Sequence, residues 1–367
     1  MRWKRLISWR NGCLLLLVLD VAVLGWVWEI LPKDLSAALG RHPIRPPQVQ
    51  LARGGTYLAI GDSYSAGEGL APFLTGTQDV AQGGDRCHRS ERAYPRLVDV
   101  PGHPLVFRAC SGALISNVFD VEQVHEGVPD SQGLQIGADQ LGPNGKLDQK
   151  VSLITVTIGG NDMQFADVLS FCARRSQCMD DTFGICGSLR TCIESNLQSV
   201  DADLKHFFEE LSSVAGPKVR IIALGYPPLF PENLRYRDCE LIRAWDPSER
   251  MAIRGFGFRL DGMIAQNAAA VGADYIDTFR YFAGHEPCTP VPWLNYVNLP
   301  GGDTIVDGSF HPNALGQAMM ARMVACQLVT YPTAAEAAAA AEEDLAAACV
   351  AQGAGQSPAT PSPSPPG

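Results

Sequence analysis

Leu58-Ala59-Ile60-Gly61-Asp62-Ser63-Tyr64-Ser65-Ala66-Gly67 is a short apolar run that stops on Gly-Asp-Ser and passes into small residues. Residues 56–60 suit a buried strand, Gly61 permits a tight exit, and Ser65, Gly67 and Gly69 suit a loop leading into a helix. Ligands of open α/β sheets bind at the carboxyl edge of the strands, which is where this reading puts the Ser63 hydroxyl. The same three residues are ordinary turn formers. Ser63 is therefore a candidate nucleophile only if the rest of the chain supplies a base and donors for an oxyanion.

Outward from this stretch the pattern repeats. Residues 104–109 are apolar and lead into Cys110-Ser111-Gly112, where the Gly112 amide could face Ser63. Residues 151–158, rich in Val, Ile, Leu and Thr, stop at Gly159-Gly160-Asn161-Asp162, and an Asn side-chain amide at that edge suits an oxyanion. Residues 219–224 end at Gly225, Pro227 and Pro228, and residues 273–278 form a fifth strand. Between them, residues 193–214 place Leu197, Leu204, Phe207, Phe208 and Leu211 at helical spacing. Residues 249–271 do the same with Ala252, Phe256, Leu260, Met263, Ile264 and Ala268 facing inward. After His311-Pro312-Asn313 comes a helix with Leu315, Met319, Met323 and Cys326 on one face; Pro312 suits its first turn, which sets His311 at the helix mouth. Residues 126–149 read as loop with one short helix, and residues 83–95 as a loop held by Cys87, with Arg89 and Arg92 as solvated surface charge. Alternating strands and helices predict an α/β fold: a three-layer, flavodoxin-like α/β/α sandwich of about five parallel strands with helices on both faces.

The ends differ in kind from the middle. Residues 1–31 carry Arg2, Lys4, Arg5 and Arg10 ahead of an apolar run broken only by Asp20, which reads as a signal peptide or signal anchor that exports the chain. Residues 32–51 form a proline-rich linker and residues 52–330 the folded domain. An alanine-rich helix over 331–352 and a disordered Pro/Ser tail over 353–367 follow. A net charge of -10 argues against a nucleic-acid partner. With Cys13 in the targeting segment, ten of the 11 cysteines remain, none at Cys-x-x-Cys spacing, so disulfides are expected rather than metal. Local order suggests Cys87–Cys110, Cys239–Cys288 and Cys326–Cys349. Cys172, Cys178, Cys186 and Cys192 would form two more bridges of open pairing.

Gly61-Asp62-Ser63, Gly112, Gly159-Gly160-Asn161-Asp162 and His311 stand in the order of the four blocks of the SGNH hydrolases, the GDSL esterases and lipases, and residues 52–330 resemble that family. Cys87, Arg89-Ser90, Tyr94-Pro95 and Cys110-Ser111-Gly112-Ala113 are most similar to its secreted, disulfide-bonded actinobacterial esterases. The resemblance implies a carboxylic ester hydrolase without cofactor or metal. Ser63 would be the nucleophile, His311 the base, and the Ser63 and Gly112 amides with the Asn161 side chain the oxyanion donors. The family's acid lies three residues before the histidine, and Gly308 stands there. Either Asp307 reaches His311 through a bulge, or the Gly308 carbonyl orients the ring and the enzyme is a dyad, the reading preferred here. The other six histidines are expected to be structural or superficial. The expected substrate is a lipid ester, a small acyl ester or an acylated glycan. Deacetylation of O-acetylated envelope polysaccharide and a catalytically silent envelope-binding role are the alternatives. The expected state is an extracytoplasmic monomer, attached to the membrane if residues 1–31 are retained.

Overall fold

A computed structural model describes residues 51, 54–78, 84–125, 127–129, 132–142, 144–147, 150–232, 245–296, 308–330 and 349. The targeting segment, the linker except residue 51, the alanine-rich segment except residue 349, and the tail lie outside the described residues, as do Asp307 and Cys239.

Five strands form one parallel sheet: β1 (Thr56–Gly61), β2 (Leu105–Phe107), β3 (Val151–Thr157), β4 (Arg220–Leu224) and β5 (Asp274–Ile276), in the order β2-β1-β3-β4-β5. This is the flavodoxin-like order, with its switch point between β1 and β3. The register runs Leu58 beside Ile154 and Gly61 beside Thr157, so the two strands end together. Among the described residues the sheet is accompanied by the helices α1 (Ser63–Ala66), α2 (Tyr94–Leu97), α3 (Phe165–Cys172), α4 (Leu189–Ala215), α5 (Pro247–Ala270), α6 (Thr278–Phe282) and α7 (Ala314–Thr330). Strand alternation sends Leu58 and Ile60 into the core shared with Leu197, Leu204 and Phe208 of α4 and Phe256, Leu260 and Ile264 of α5. Tyr57 and Ala59, equally buried, face the other way. On α5 it is Ile253 that is buried, while Ala252 and Met263 are half-buried. Helix α7 packs against α2 and β5 and buries Met319, Met323, Val324 and Leu328.

The long helices are capped as their sequences allow. Asp246 Oδ1 accepts from the Ser248 and Glu249 amides while Glu249 Oε2 accepts from the Asp246 amide, and Pro247 fills the first turn of α5. Such a capping box stabilises a helix by about 1 kcal/mol. Helix α7 corrects the expectation for Pro312. It begins at Ala314, because Asn313 Oδ1 accepts from both the Leu315 and Gly316 amides at 3.0 Å; Pro312 instead makes an isolated bridge with Leu294. Residues 126–149 contain no helix among the described residues, and a small antiparallel ribbon pairs Val124–His125 with Val128–Pro129. Strand β5 stops at Ile276, because Asp277 turns to cap α6 through the Arg280 amide. Arg89 is buried rather than solvated, held by Asp85 at 2.6 Å and by Gln132.

Disulfides join Cys87–Cys110, Cys172–Cys178, Cys186–Cys192 and Cys326–Cys349, and Cys288 is also disulfide-bonded. The first and last of these follow the expected pairing, and the middle two resolve the open one as neighbours in sequence. No helix among the described residues is long and apolar enough to cross a membrane.

Candidate active site

Ser63 is the first residue of α1, separated from the end of β1 by Asp62 alone. The turn that presents it requires glycine at 61, which has φ 119° and whose Cβ, if present, would run into the Thr157 carbonyl oxygen. Gln135 clamps the same residue from the side: its Oε1 accepts from the Gly61 amide at 2.7 Å and its Nε2 donates to the Gly61 carbonyl at 2.8 Å. Asp62 caps α1 by accepting from the Tyr64 amide at 3.0 Å; it also accepts from Thr157 Oγ1 at 2.7 Å and from the Tyr226 hydroxyl. Burial pushes the Asp62 carboxyl up to about 6, against the opposing effect of those hydrogen bonds.

His311 Nε2 lies 2.7 Å from Ser63 Oγ. Its other ring nitrogen, Nδ1, lies 3.0 Å from the Ser309 carbonyl oxygen. A carbonyl can only accept, so Nδ1 donates there and Nε2 is left to accept from the Ser63 hydroxyl. Among the described residues it is thus the Ser309 carbonyl, and not that of Gly308, that contacts the ring. The Gly308 carbonyl is already engaged by the His311 amide at 3.2 Å and by Asn295 Nδ2 at 3.1 Å. The loop reaches this shape through two positive φ values, 84° at Gly308 and 61° at Phe310. Phe310 is buried between Phe230 and Trp245, and its carbonyl accepts from the Tyr64 hydroxyl at 3.1 Å.

Gly112 and Asn161 complete the arrangement. Gly112, at φ 79°, lies in the turn that follows Cys110, and neither its amide nor that of Ser63 has an acceptor among the described residues. One N–H of Asn161 Nδ2 donates to the Ala113 carbonyl at 2.9 Å, which leaves its second N–H for another acceptor. Asp162 fastens the same two segments together by accepting from the Ile115 amide at 3.2 Å, and burial pushes its carboxyl up to about 6. The Gly160 amide donates at 2.9 Å to the Tyr226 hydroxyl, which itself donates to Asp62, so one phenol oxygen links the Ser63 turn to the Asn161 turn. Tyr226, Gln135 and Ser309 went unread in the sequence; only Tyr226, at the end of β4, carried a positional hint. His88 has a structural role, paired at 2.7 Å with buried Glu68.

The cleft in front of Ser63 spans roughly 910 Å³, open solvent at its mouth included, and is lined mainly by apolar groups: Phe165, Leu169, Pro227, Pro228, Leu229, Ile253, Phe279 and Phe310. Arg254 also lines it, but its guanidinium donates to the Phe230 carbonyl and to buried Glu286. Among the described residues one cluster has metal-ligand composition, Cys172, Cys178 and Glu249. Its two sulfurs form a disulfide, and Glu249 Oε1 accepts from the Cys178 amide. That arrangement leaves no thiolate for a metal.

Residues 59–319 match the GDSL-like Lipase/Acylhydrolase family. A lipase of Streptomyces rimosus is 30% identical over 276 residues, which span 75% of this chain and 85% of the relative. Of solved structures, phospholipase A1 from Streptomyces albidoflavus is 30% identical with a TM-score of 0.52, covering 72% of this chain and 95% of its own. An extracellular lipase from Streptomyces rimosus is 27% identical with a TM-score of 0.51, over the same shares.

Proposed function

The chain belongs to the GDSL-like lipase/acylhydrolase family and is a carboxylic ester hydrolase, and we propose that it cleaves acyl esters of lipids through an acyl-serine intermediate on Ser63. A serine hydroxyl is a weak nucleophile until a neighbouring base takes its proton, and neutral imidazole does so near pH 7. Ser63 Oγ attacks the ester carbonyl while its proton passes to His311 Nε2. The oxyanion is received by the amides of Ser63 and Gly112 and by the second N–H of Asn161; one such donor contributes about 3 to 4 kcal/mol to the transition state. His311 returns the proton to the leaving alcohol, and water, deprotonated by the same ring, releases the acid. The Ser309 carbonyl holds the Nδ1 proton throughout, so ring orientation comes from the backbone.

The observation that carries this reading is the 2.7 Å contact of Ser63 Oγ with His311 Nε2 at the end of an apolar cleft. An acetyl group would leave those apolar walls wet, so an acetylated glycan fits the cleft less well than a longer acyl chain. We place the mature enzyme outside the cytoplasm. Its disulfides persist where the medium is oxidising, and a related structure is described as an extracellular lipase. The test is Ser63→Ala beside the wild type on p-nitrophenyl butyrate and decanoate, with a fluorophosphonate probe as a second readout. The variant should lose at least about 10⁴-fold in kcat and all probe labelling, and activity surviving in it would refute the mechanism.

A further inference from the structure

Helix α5 carries glycine at 255, 257 and 262, well inside its span of Pro247–Ala270. A glycine within a helix forfeits backbone entropy that alanine would not, so its presence asks for a reason. Backbone geometry is not the reason, for none of the three has a positive φ. Crowding is not either: a Cβ at Gly255 or Gly262 meets nothing within 4 Å, and one at Gly257 meets only Phe279 Cε2 at 3.9 Å. The three differ in what they face. Gly255 and Gly262 are exposed, so a side chain there would enter solvent. Gly257 stands one turn beyond Ile253, and both line the cleft that holds Ser63 and His311. What a side chain at 257 would occupy is cleft volume.

We propose that Gly257 sets the acyl-chain length this enzyme accepts, its missing side chain keeping open the part of the cleft that receives the distal methylenes of medium- and long-chain acyl esters. The inference rests on the ester-hydrolase reading above, with Ser63 as nucleophile. Each methylene moved from water onto an apolar wall favours binding by about fourfold, so a substituent that displaces two of them costs a long chain roughly tenfold or more. A chain too short to reach Gly257 loses nothing.

The full chain and its Gly257→Ala, Gly257→Leu and Gly255→Ala variants are compared on p-nitrophenyl esters from butyrate to laurate. Laurate itself is titrated against each by tryptophan fluorescence. In Gly257→Leu, kcat/KM for the laurate ester should fall at least about tenfold relative to butyrate, and the Kd for laurate should rise by a similar factor. Gly257→Ala should shift both in the same direction by less. Gly255→Ala, on the solvent face, should leave the chain-length ratio unchanged. An unchanged ratio in a folded Gly257→Leu, or an equal loss at every chain length, overturns the inference; so does a wild type that does not bind laurate. A wild type that binds laurate, responds to Gly257→Leu in that titration and yet hydrolyses none of the esters would sink the catalytic reading alone.

Discussion

Ser63 and His311 meet across 2.7 Å, yet the two regions that present them are built differently. The serine corner is an extension of the sheet. β1 and β3 end side by side, and polar side chains from distant segments converge on the turn: Gln135 on Gly61, and Thr157 and Tyr226 on Asp62. Among the described residues the histidine loop continues no strand of the sheet and makes only an isolated bridge, Pro312 with Leu294. It is held by a carbonyl at Ser309, by left-handed backbone at Gly308 and Phe310, and by Phe310 packed between Phe230 and Trp245. The proposed nucleophile is thus fixed by buried hydrogen bonds and the proposed base by packing and backbone shape. The first kind of support responds to pH and the second responds to volume.

The contrast breaks most visibly at Phe310. Phe310→Ala removes a buried ring and should cost about 3 to 5 kcal/mol of stability in urea unfolding, with kcat falling as His311 loses its seat. A cost below about 1 kcal/mol would mean that packing does not hold the loop. The serine corner should answer to Asp62→Asn instead. Asp62 titrates near 6 in the folded chain against an ordinary value of 3.8, because burial disfavours its charge. Its contribution to stability is therefore full below about pH 4 and is lost as pH rises through 6, a difference on the order of 3 kcal/mol. Asparagine keeps the acceptor for Tyr64 and Thr157 but cannot ionise, so unfolding curves between pH 4 and pH 8 should lose that slope. A residual slope from Asp162, which titrates in the same range, should remain. Equal slopes in variant and wild type would remove Asp62 from the account. The smallest effect is expected from Asp307→Asn. If the Ser309 carbonyl orients His311, kcat should stay within about threefold, whereas a fall near 10⁴-fold would establish an acid behind the ring.

What could be read in the sequence followed from residue type. A parallel strand buried on both faces is a continuous apolar run, so residues 56–60 and 151–158 announced β1 and β3 within a residue or two. The serine, glycine, asparagine and histidine at the sheet's edge could be picked out because each is chemically distinct. Ser309 could not, since it acts through a carbonyl that every residue possesses. Tyr226 was hidden by distance: its hydroxyl meets a carboxylate 164 residues earlier in the chain. Two residues misled for a physical reason. Pro312 has the φ a first helical turn favours, but Asn313 brings an acceptor that two amides can share. Arg89 belongs to a type mostly found in solvent, and its burial depends on Asp85 four residues before it.

Gly308 holds the position where relatives of this chain are expected to carry the acid. A Cβ placed there would sit 2.8 Å from the Cα of Gly69, and the residue's φ of 84° lies where side chains are strained. Gly69 follows the Ser63 turn by six residues, so the loop bearing His311 rests directly on the segment that follows Ser63. Writing an aspartate at 308 would not supply His311 with an acid; it would wedge the two segments apart. For anyone redesigning this enzyme, and for descent by single substitutions, position 308 is closed: an acid could enter there only together with a new backbone for the loop.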